Sequence, residues 1–123
     1  MNTLKSTKEI ITKYYDQISQ KGDWQSIISE DITFTSVGKI THTKEAYVEA
    51  TSRFLEVVKS LKINEFIVEG NKACITVEYS LLSPKGTTAS CEVAEVLMVQ
   101  DDKIYSSCIF FDTDSFRKFM AQG

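Results

Sequence analysis

The chain from residue 62 onward alternates between apolar and polar residues over long segments, and short turn sequences interrupt the alternation. A period of two is typical of strands that bury one face. Turn-forming residues occupy positions 69–72, 83–86 and 100–103. The predicted strands are 62–68, 73–82, 88–99 and 104–111. Because connections this short join antiparallel neighbours, the sequence predicts a meander of long strands.

The N-terminal half carries helical patterns instead. Ser6 and Glu9 have the spacing of a capping box, which begins a helix that Gly22 ends. The apolar face of this helix comprises Ile10, Ile11, Tyr14, Tyr15 and Ile18. Residues 23–28 are predicted to form a second, short helix capped by its first residue. Residues 32–36 then show the pattern of a short strand.

A third helix is predicted to begin near Thr43 and to run for about four turns. Its apolar stripe comprises Tyr47, Ala50, Phe54, Val57, Val58 and Leu61. Phe116, Phe119 and Met120 predict a last helical turn that folds back onto the body. Helices followed by hairpin-linked strands are an α+β order. A curved, mostly antiparallel sheet must wrap around the N-terminal helices to bury its inner face, which predicts a cone with a cavity.

Length and composition fit one globular domain, and we expect a single domain over residues 1–123. A net charge of −3 provides no basic surface for DNA or RNA, so we expect no nucleic-acid partner. The longest apolar runs, such as 96–99, contain only four residues, so we expect no membrane partner and no secretory signal.

Cysteine and histidine are too few and too scattered to predict a metal site. Cys74, Cys91 and Cys108 have no short Cys-x-x-Cys spacing, and His42 is the single histidine. An odd number of thiols suits a reducing compartment, so we expect a cytoplasmic protein without a metal or cofactor. His42 directly precedes the predicted cap at Thr43, and we expect an exposed turn residue there rather than a base.

Several segments, taken in order along the chain, resemble the nuclear transport factor 2-like superfamily, particularly its SnoaL-like and ketosteroid-isomerase-like members. The segments are Tyr14-Tyr15, Gly22-Asp23-Trp24, Ser29-Glu30-Asp31-Ile32-Thr33-Phe34, Thr43-Lys44-Glu45-Ala46 and Phe110-Phe111-Asp112-Thr113. The resemblance implies a cystatin-like conical α+β barrel with a deep pocket, usually in a homodimer. It does not imply a reaction, because this fold hosts isomerases, cyclases, dehydratases, hydrolases and binding modules.

The resemblance also implies roles for two residues. Ketosteroid isomerases use a tyrosine and a protonated acid as hydrogen-bond donors to the substrate oxygen, and an aspartate as the base. Tyr15 resembles the tyrosine, and Glu95 resembles the acid. The position of the base is occupied by Ser36, which cannot accept a proton near neutral pH. Steroid isomerase activity is therefore disfavoured.

The direction in which Glu95 points determines whether it can act in the cone. Its face of the predicted strand also carries Val93, Leu97 and Val99. The opposite face carries Ala94, Val96 and Met98. Both faces are apolar, so the residues alone allow either to point inward, and the resemblance favours the face with Glu95. An inward Glu95 would have a raised pKa because burial disfavours the charged form, whereas an outward one would be solvated.

Further residues are predicted to form the wall of the pocket. The predicted ligand-binding residues are Phe34, Phe54, Val77, Tyr79, Val93, Leu97 and Asp112. Core packing would explain the apolar members equally well, and Asp112 could instead cap the last helical turn.

Two functions are open on this reasoning. The first is binding of a small apolar or carbonyl-containing molecule, with isomerase, cyclase or dehydratase chemistry as an extension. Glu95 would then be a neutral acid, Tyr15 a second donor, and a water or Asp112 a weak base. The second is a non-catalytic dimeric adaptor or assembly module that acts through the outer face of the sheet. A strand that is apolar on both faces favours a homodimer in either case.

Overall fold

The computed structural model describes residues 6–122, which form three α-helices, a short 3-10 helix and six strands. The elements are α1 (Thr7–Gln20), the 3-10 helix (Gln25–Ile27), β1 (Ile28–Ser36), β2 (Lys39–Thr41), α2 (Lys44–Leu55), β3 (Val58–Glu69), β4 (Lys72–Leu82), β5 (Thr88–Gln100), β6 (Lys103–Phe111) and α3 (Thr113–Gln122). None of the helices in this part of the chain has the length and apolar character needed to cross a lipid bilayer.

The strands form one sheet in the order β2-β1-β6-β5-β4-β3. All neighbouring strands are antiparallel except β1 and β6, which run parallel. The two edge strands, β2 and β3, do not pair, so the sheet is curved but open rather than closed into a complete barrel. The three helices and this mostly antiparallel sheet confirm the predicted α+β cone.

Helix α1 follows the sequence pattern closely. Ser6 Oγ accepts a hydrogen bond from the Glu9 amide at 3.1 Å, and the Glu9 carboxylate accepts one from the Ser6 amide at 3.3 Å. This capping box satisfies two amides at the start of the helix that have no partner within it. All five residues of the predicted apolar face are at most 3% exposed. That face therefore forms the central part of the core.

Helix α2 ends earlier than predicted. It begins at its Thr43 cap as expected, but it ends at Leu55 instead of continuing to Leu61. Val57 and Val58 are buried, yet Val58 is the first residue of β3 and pairs with Leu81 of β4. The prediction was wrong because the first apolar residues of a buried strand happened to extend the helical stripe, although β-branched residues favour strands.

Other boundaries differ in the same region of the fold. The short helix is reduced to Gln25–Ile27, and β1 begins at Ile28 rather than at residue 32. Strand β2 was not predicted, because the hairpin turn before it places Val37 at φ 52°, a conformation that β-branched residues rarely adopt. The last helical turn is a full helix, Thr113–Gln122.

Candidate functional site

A cavity of about 260 Å³ lies between the inner face of the sheet and all three helices. Seven of the lining residues are aromatic, namely Tyr14, Phe34, Tyr47, Phe54, Tyr79, Phe111 and Phe116. The volume exceeds the roughly 150 Å³ of an engineered cavity that holds benzene, and lies just below the usual range for drug-sized ligands. The cavity can therefore accept a molecule of one or two rings.

Glu95 lies on the wall of this cavity and is only 4% exposed. Its strand β5 also buries Val93, Leu97 and Val99, so the face with Glu95 points inward. The residues paired with Glu95 on the neighbouring strands are Ile75 and Ile109, both apolar. These two strand neighbours therefore offer the carboxyl no charged or polar partner.

Burial raises the pKa of the Glu95 carboxyl, and the Tyr79 and Tyr15 hydroxyls offset part of this rise. Tyr79 Oη donates a hydrogen bond to Glu95 Oε1 at 2.8 Å. Burial, followed by the nearby Glu95 charge, raises the pKa of Tyr79, so its hydroxyl stays protonated and remains a donor. Burial thus favours the protonated form of Glu95, whereas the two tyrosine hydroxyls favour the carboxylate.

Tyr15 occupies a different place from the one the resemblance implies. It is 2% exposed and packs edge-to-face on Tyr14 at a centroid distance of 5.2 Å, but Tyr14 and not Tyr15 lines the cavity. The Tyr15 hydroxyl lowers the pKa of Glu95 from behind the cavity wall, although no hydrogen bond of ordinary geometry joins the two groups. Tyr79 holds the carboxyl from the cavity side.

The other predicted ligand-binding residues fall into three groups. Phe34, Phe54, Tyr79 and Val93 lie on the cavity wall with Glu95. Val77 and Leu97 are fully buried in the core but do not line the cavity. Asp112 is exposed and caps α3.

The Asp112 cap explains why this residue does not serve the cavity. Its Oδ1 accepts hydrogen bonds from the Asp114 and Ser115 amides, both at 3.1 Å. Hydrogen bonds from Ser115, first from its backbone, lower the pKa of Asp112. The carboxylate is therefore a poor base.

Several lining residues were not among the predicted ones. They are Tyr14, Ile18, Ser36, Tyr47, Ala50, Thr51, Arg53, Leu55, Cys91, Ile109, Phe111, Phe116 and Met120. Most come from α2, from the end of β6 and from α3, which meet only in the folded chain. The helical period places Tyr47, Thr51 and Phe54 on one side of α2. This period was the one sequence signal that could have predicted the part of the cavity wall formed by α2.

Hydroxyl groups form a second polar cluster in the cavity. Tyr14 Oη and Tyr47 Oη are 2.5 Å apart and share a hydrogen bond. Burial raises the pKa of Tyr47, and its hydroxyl neighbours Tyr14, Thr51 and Ser107 offset part of the rise. Ser107 is 1% exposed, and its Oγ has no hydrogen bond of ordinary geometry.

Aromatic rings at steep angles surround the side of the cavity near α3. Phe54 packs against Tyr79 at 4.9 Å and 85°, and against Phe116 at 5.8 Å and 54°. Phe116 packs in turn on Phe111 at 5.7 Å and 86°. Arg53 is the one basic residue of the lining, and it forms an exposed ion pair with Glu49 at 2.7 Å.

Metal binding finds no support in the described residues. Within 6–122 there is no group of three histidine, cysteine, aspartate or glutamate side chains that could hold an ion. His42 is exposed and precedes the Thr43 cap, as predicted from the sequence. Cys74, Cys91 and Cys108 are unpaired.

The outer face of the sheet carries a continuous apolar row. Cross-strand partners connect Ile67, Cys74, Val96, Cys108, Thr35 and Ile40 from one edge of the sheet to the other. Ile67 is 60% exposed and Ile40 is 58% exposed, and Phe110 on the same face is 59% exposed. An exposed apolar surface of this kind is typical of an interaction site.

Comparison with solved structures finds the same fold in proteins of distant sequence. A nuclear transport factor 2-like protein from Burkholderia thailandensis is 20% identical, with a TM-score of 0.80 over 95% of this chain and 98% of that chain. The structure of TerC with polyporic acid is 18% identical, with a TM-score of 0.77 over 94% and 98%. The epoxide hydrolase/cyclase-like enzyme SalBIII, from pyran ring formation in salinomycin, is 17% identical, with a TM-score of 0.78 over 88% and 92%.

Similarity at these identities shows that the fold is shared, and it carries no information about the reaction. A comparison with curated protein sequences gives no significant match. The sequence profile of the SnoaL-like domain family matches residues 11–107, which include most of α1, most of the sheet and nearly all residues of the cavity wall that precede the end of β6. The chain therefore belongs to the SnoaL-like domain family of the nuclear transport factor 2-like superfamily.

Proposed function

We propose that this protein binds a small, largely apolar molecule in its cavity and that the neutral Glu95 carboxyl donates a hydrogen bond to an oxygen of that molecule. The observation that carries the proposal is a single buried carboxyl, held by the Tyr79 hydroxyl, on a wall that is mostly aromatic and aliphatic. A ketone or similar carbonyl compound fits, because its oxygen accepts a hydrogen bond and its rings fill the apolar space.

The charge distribution supports a neutral ligand. A buried anion would need a cation close to it, and the lining offers only Arg53, whose side chain is 76% exposed and engaged with Glu49. A neutral carbonyl needs only the donor that Glu95 supplies. Its binding leaves no charge unpaired in the cavity.

Chemistry at this site would be assisted by the acid. Hydrogen bonding from Glu95 to a carbonyl oxygen stabilises the negative charge that develops there during enolisation, cyclisation or dehydration. Glu95 is the single carboxyl group of the lining, and Ser36 lies where the resemblance puts a base. A water molecule is the remaining proton acceptor. Because water is a weak base, the site suits isomerase- or lyase-type steps that do not need a strong base. A cyclase-like enzyme shares the fold, so chemistry of this class is compatible with the scaffold.

The test uses α-tetralone, a two-ring ketone with one hydrogen-bond acceptor, in titrations followed by NMR and calorimetry. We expect the variant Glu95→Leu to bind it about three- to tenfold more weakly, the usual effect of losing one neutral hydrogen bond. Glu92→Leu, on the exposed face of the same strand, is the matched control. If α-tetralone does not bind, or binds equally to Glu95→Leu, the proposal is wrong.

A direct measurement of the Glu95 pKa complements the titration. Carbon-detected NMR of the side-chain carboxyl, with Glu95→Gln as the assignment control, is expected to give a pKa above the ordinary 4.5. An ordinary value would mean a solvated carboxylate, and the neutral-donor role would have to be abandoned.

The apolar row on the outer face favours a second candidate function, that of a dimeric adaptor or assembly module. We infer that a second copy of the chain covers this face, because Ile67, Phe110 and Ile40 would otherwise remain in water. Val96 lies in the middle of the row, so Val96→Lys is expected to shift the protein to monomer in sedimentation experiments. Ser80→Lys, at an exposed position of β4, is the control. A monomeric wild-type protein would remove the support for this function.

A further inference from the structure

We propose that the cavity has a second polar subsite, formed by the hydroxyls of Tyr14, Tyr47, Thr51 and Ser107, which takes a hydroxyl group of the ligand. This inference rests on the proposed function and narrows the ligand to molecules with two oxygen functions, a carbonyl at Glu95 and a hydroxyl at the second subsite.

The four hydroxyls come from different elements and meet around the oxygen of Tyr47. Tyr14 belongs to α1, Tyr47 and Thr51 lie one helical turn apart on α2, and Ser107 belongs to β6. Phe34 packs edge-to-face on the Tyr47 ring at 4.9 Å and 89°, which fixes the ring. Tyr14, Tyr47 and Thr51 all line the cavity, so a ligand can reach the cluster.

The cluster has unused hydrogen-bonding capacity. A hydroxyl can donate one hydrogen bond and accept two, and the bond between Tyr14 and Tyr47 uses only a small part of what four hydroxyls offer. The Ser107 hydroxyl is buried without a hydrogen bond of ordinary geometry. Ser107 does not itself line the cavity, but its hydroxyl neighbours that of Tyr47, which does. The capacity that a ligand can reach is therefore that of Tyr14, Tyr47 and Thr51, and Ser107 supports it through Tyr47.

The chemistry of the cluster selects a hydroxyl over other polar groups. Tyr14 and Tyr47 stay protonated, because burial raises the pKa of both. The cluster therefore presents neutral groups that both donate and accept, and a ligand hydroxyl matches both properties. An anionic group would find no cation there, since the guanidinium of Arg53 is exposed and paired with Glu49.

The second subsite is built on different elements from the first. Glu95 and Tyr79 lie on β5 and β4, whereas the hydroxyl cluster is built mainly on the two long helices. A molecule of one or two rings touches both sides of a 260 Å³ cavity at once. Two fixed polar contacts on such a ligand would set its orientation, which a single hydrogen bond in an apolar cavity cannot do.

The experiment compares α-tetralone derivatives that carry either a hydroxyl or a methyl group at the same aromatic position. The measured quantity is the ratio of the two affinities in each variant, so that a general change in the cavity cancels. In the wild-type protein, at least one positional isomer is expected to bind about three- to tenfold more tightly as the hydroxyl than as the methyl compound.

Removal of hydroxyls from the cluster should abolish this preference. In Tyr47→Phe the ratio is expected to fall to about one, and Thr51→Val, which keeps the shape of the side chain, should reduce it in the same direction. Tyr79→Phe removes a hydroxyl from the first subsite and is the matched control, in which the preference should persist. Thr51→Val also keeps the test available if Tyr47→Phe does not fold.

The possible outcomes separate this inference from the proposed function. If α-tetralone binds but no hydroxyl isomer is preferred, or if the preference persists in Tyr47→Phe and Thr51→Val, the second subsite does not exist and the proposed function stands. If no tetralone binds to the wild-type protein, the proposed function fails and the second subsite with it.

Discussion

The two faces of β5 have similar amino-acid compositions but different environments. The inner face carries Val93, Glu95 and Leu97, all at most 5% exposed, beneath the helices. The outer face carries Ala94, Val96 and Met98, which are only half-buried. The covered side holds Glu95, and burial raises the pKa of its carboxyl. The inner and outer faces of β5 therefore differ in their environment rather than in their residue types.

The largest expected difference between the faces is in packing energy. Leu97→Ala should lower the free energy of unfolding by about 2–5 kcal/mol, because it leaves a cavity in a closed core. Met98→Ala on the outer face should cost about 1 kcal/mol or less. Urea denaturation of both variants measures the contrast. An equally large loss for Met98→Ala would show that the outer face is as closed as the inner one.

The next largest effect is the pH dependence that Glu95 imposes on stability. Its pKa is raised in the folded state, so between the unfolded value of about 4.5 and the folded pKa the folded protein binds more protons than the unfolded chain. The contribution of Glu95 to stability is complete below the unfolded pKa and is lost as the pH rises through the folded pKa, by at most about 1.4 kcal/mol per pH unit.

Glu95→Gln removes this dependence, so the variant should become more stable relative to the wild type as the pH rises. Denaturation in a pH series that begins below 4.5 measures the difference. Glu92→Gln on the exposed face controls for the loss of one carboxyl. If Glu95→Gln and Glu92→Gln follow the same curve, the environments of the two faces do not differ at this position.

The smallest expected effect concerns the buried hydroxyl of Ser107. Ser107→Ala removes a polar group that has no hydrogen bond of ordinary geometry, so the free energy of unfolding should stay the same or rise by up to about 1 kcal/mol. Ser106→Ala, at the half-buried neighbouring position, should change it by less than about 0.5 kcal/mol. A clear loss of stability in Ser107→Ala would mean that this hydroxyl is already paired in the free protein.

The fold followed from the sequence wherever periodicity and turn chemistry agreed. The long strands β4, β5 and β6 and the helix α1 were predicted to within one or two residues. The end of α2 was not, because Val57 and Val58 fit a helical stripe and a strand equally well. Strand β2 was missed because its turn depends on an unfavourable backbone conformation at Val37.

The site was predictable only in part, because its contacts depend on strand register and on the C-terminal helix. Alternation placed Glu95 with Val93 and Leu97, but it could not decide which face is covered. The bond from Tyr79 to Glu95 requires the β4–β5 register, which is set by the pairing of Leu82 with Thr88. Phe116 reaches the cavity only because Asp112 begins α3 at that point, and no local pattern reveals such a contact.

The position of Trp24, the single tryptophan of the chain, has a practical consequence. Its indole is 3% exposed and packs edge-to-face on Tyr14 at 6.5 Å and on Tyr47 at 6.3 Å. Both tyrosines line the cavity, so a molecule that disturbs their rings also disturbs the surroundings of the indole. The tryptophan fluorescence of the protein is therefore a label-free reporter of cavity occupancy, with the one indole placed behind the wall that a ligand would touch.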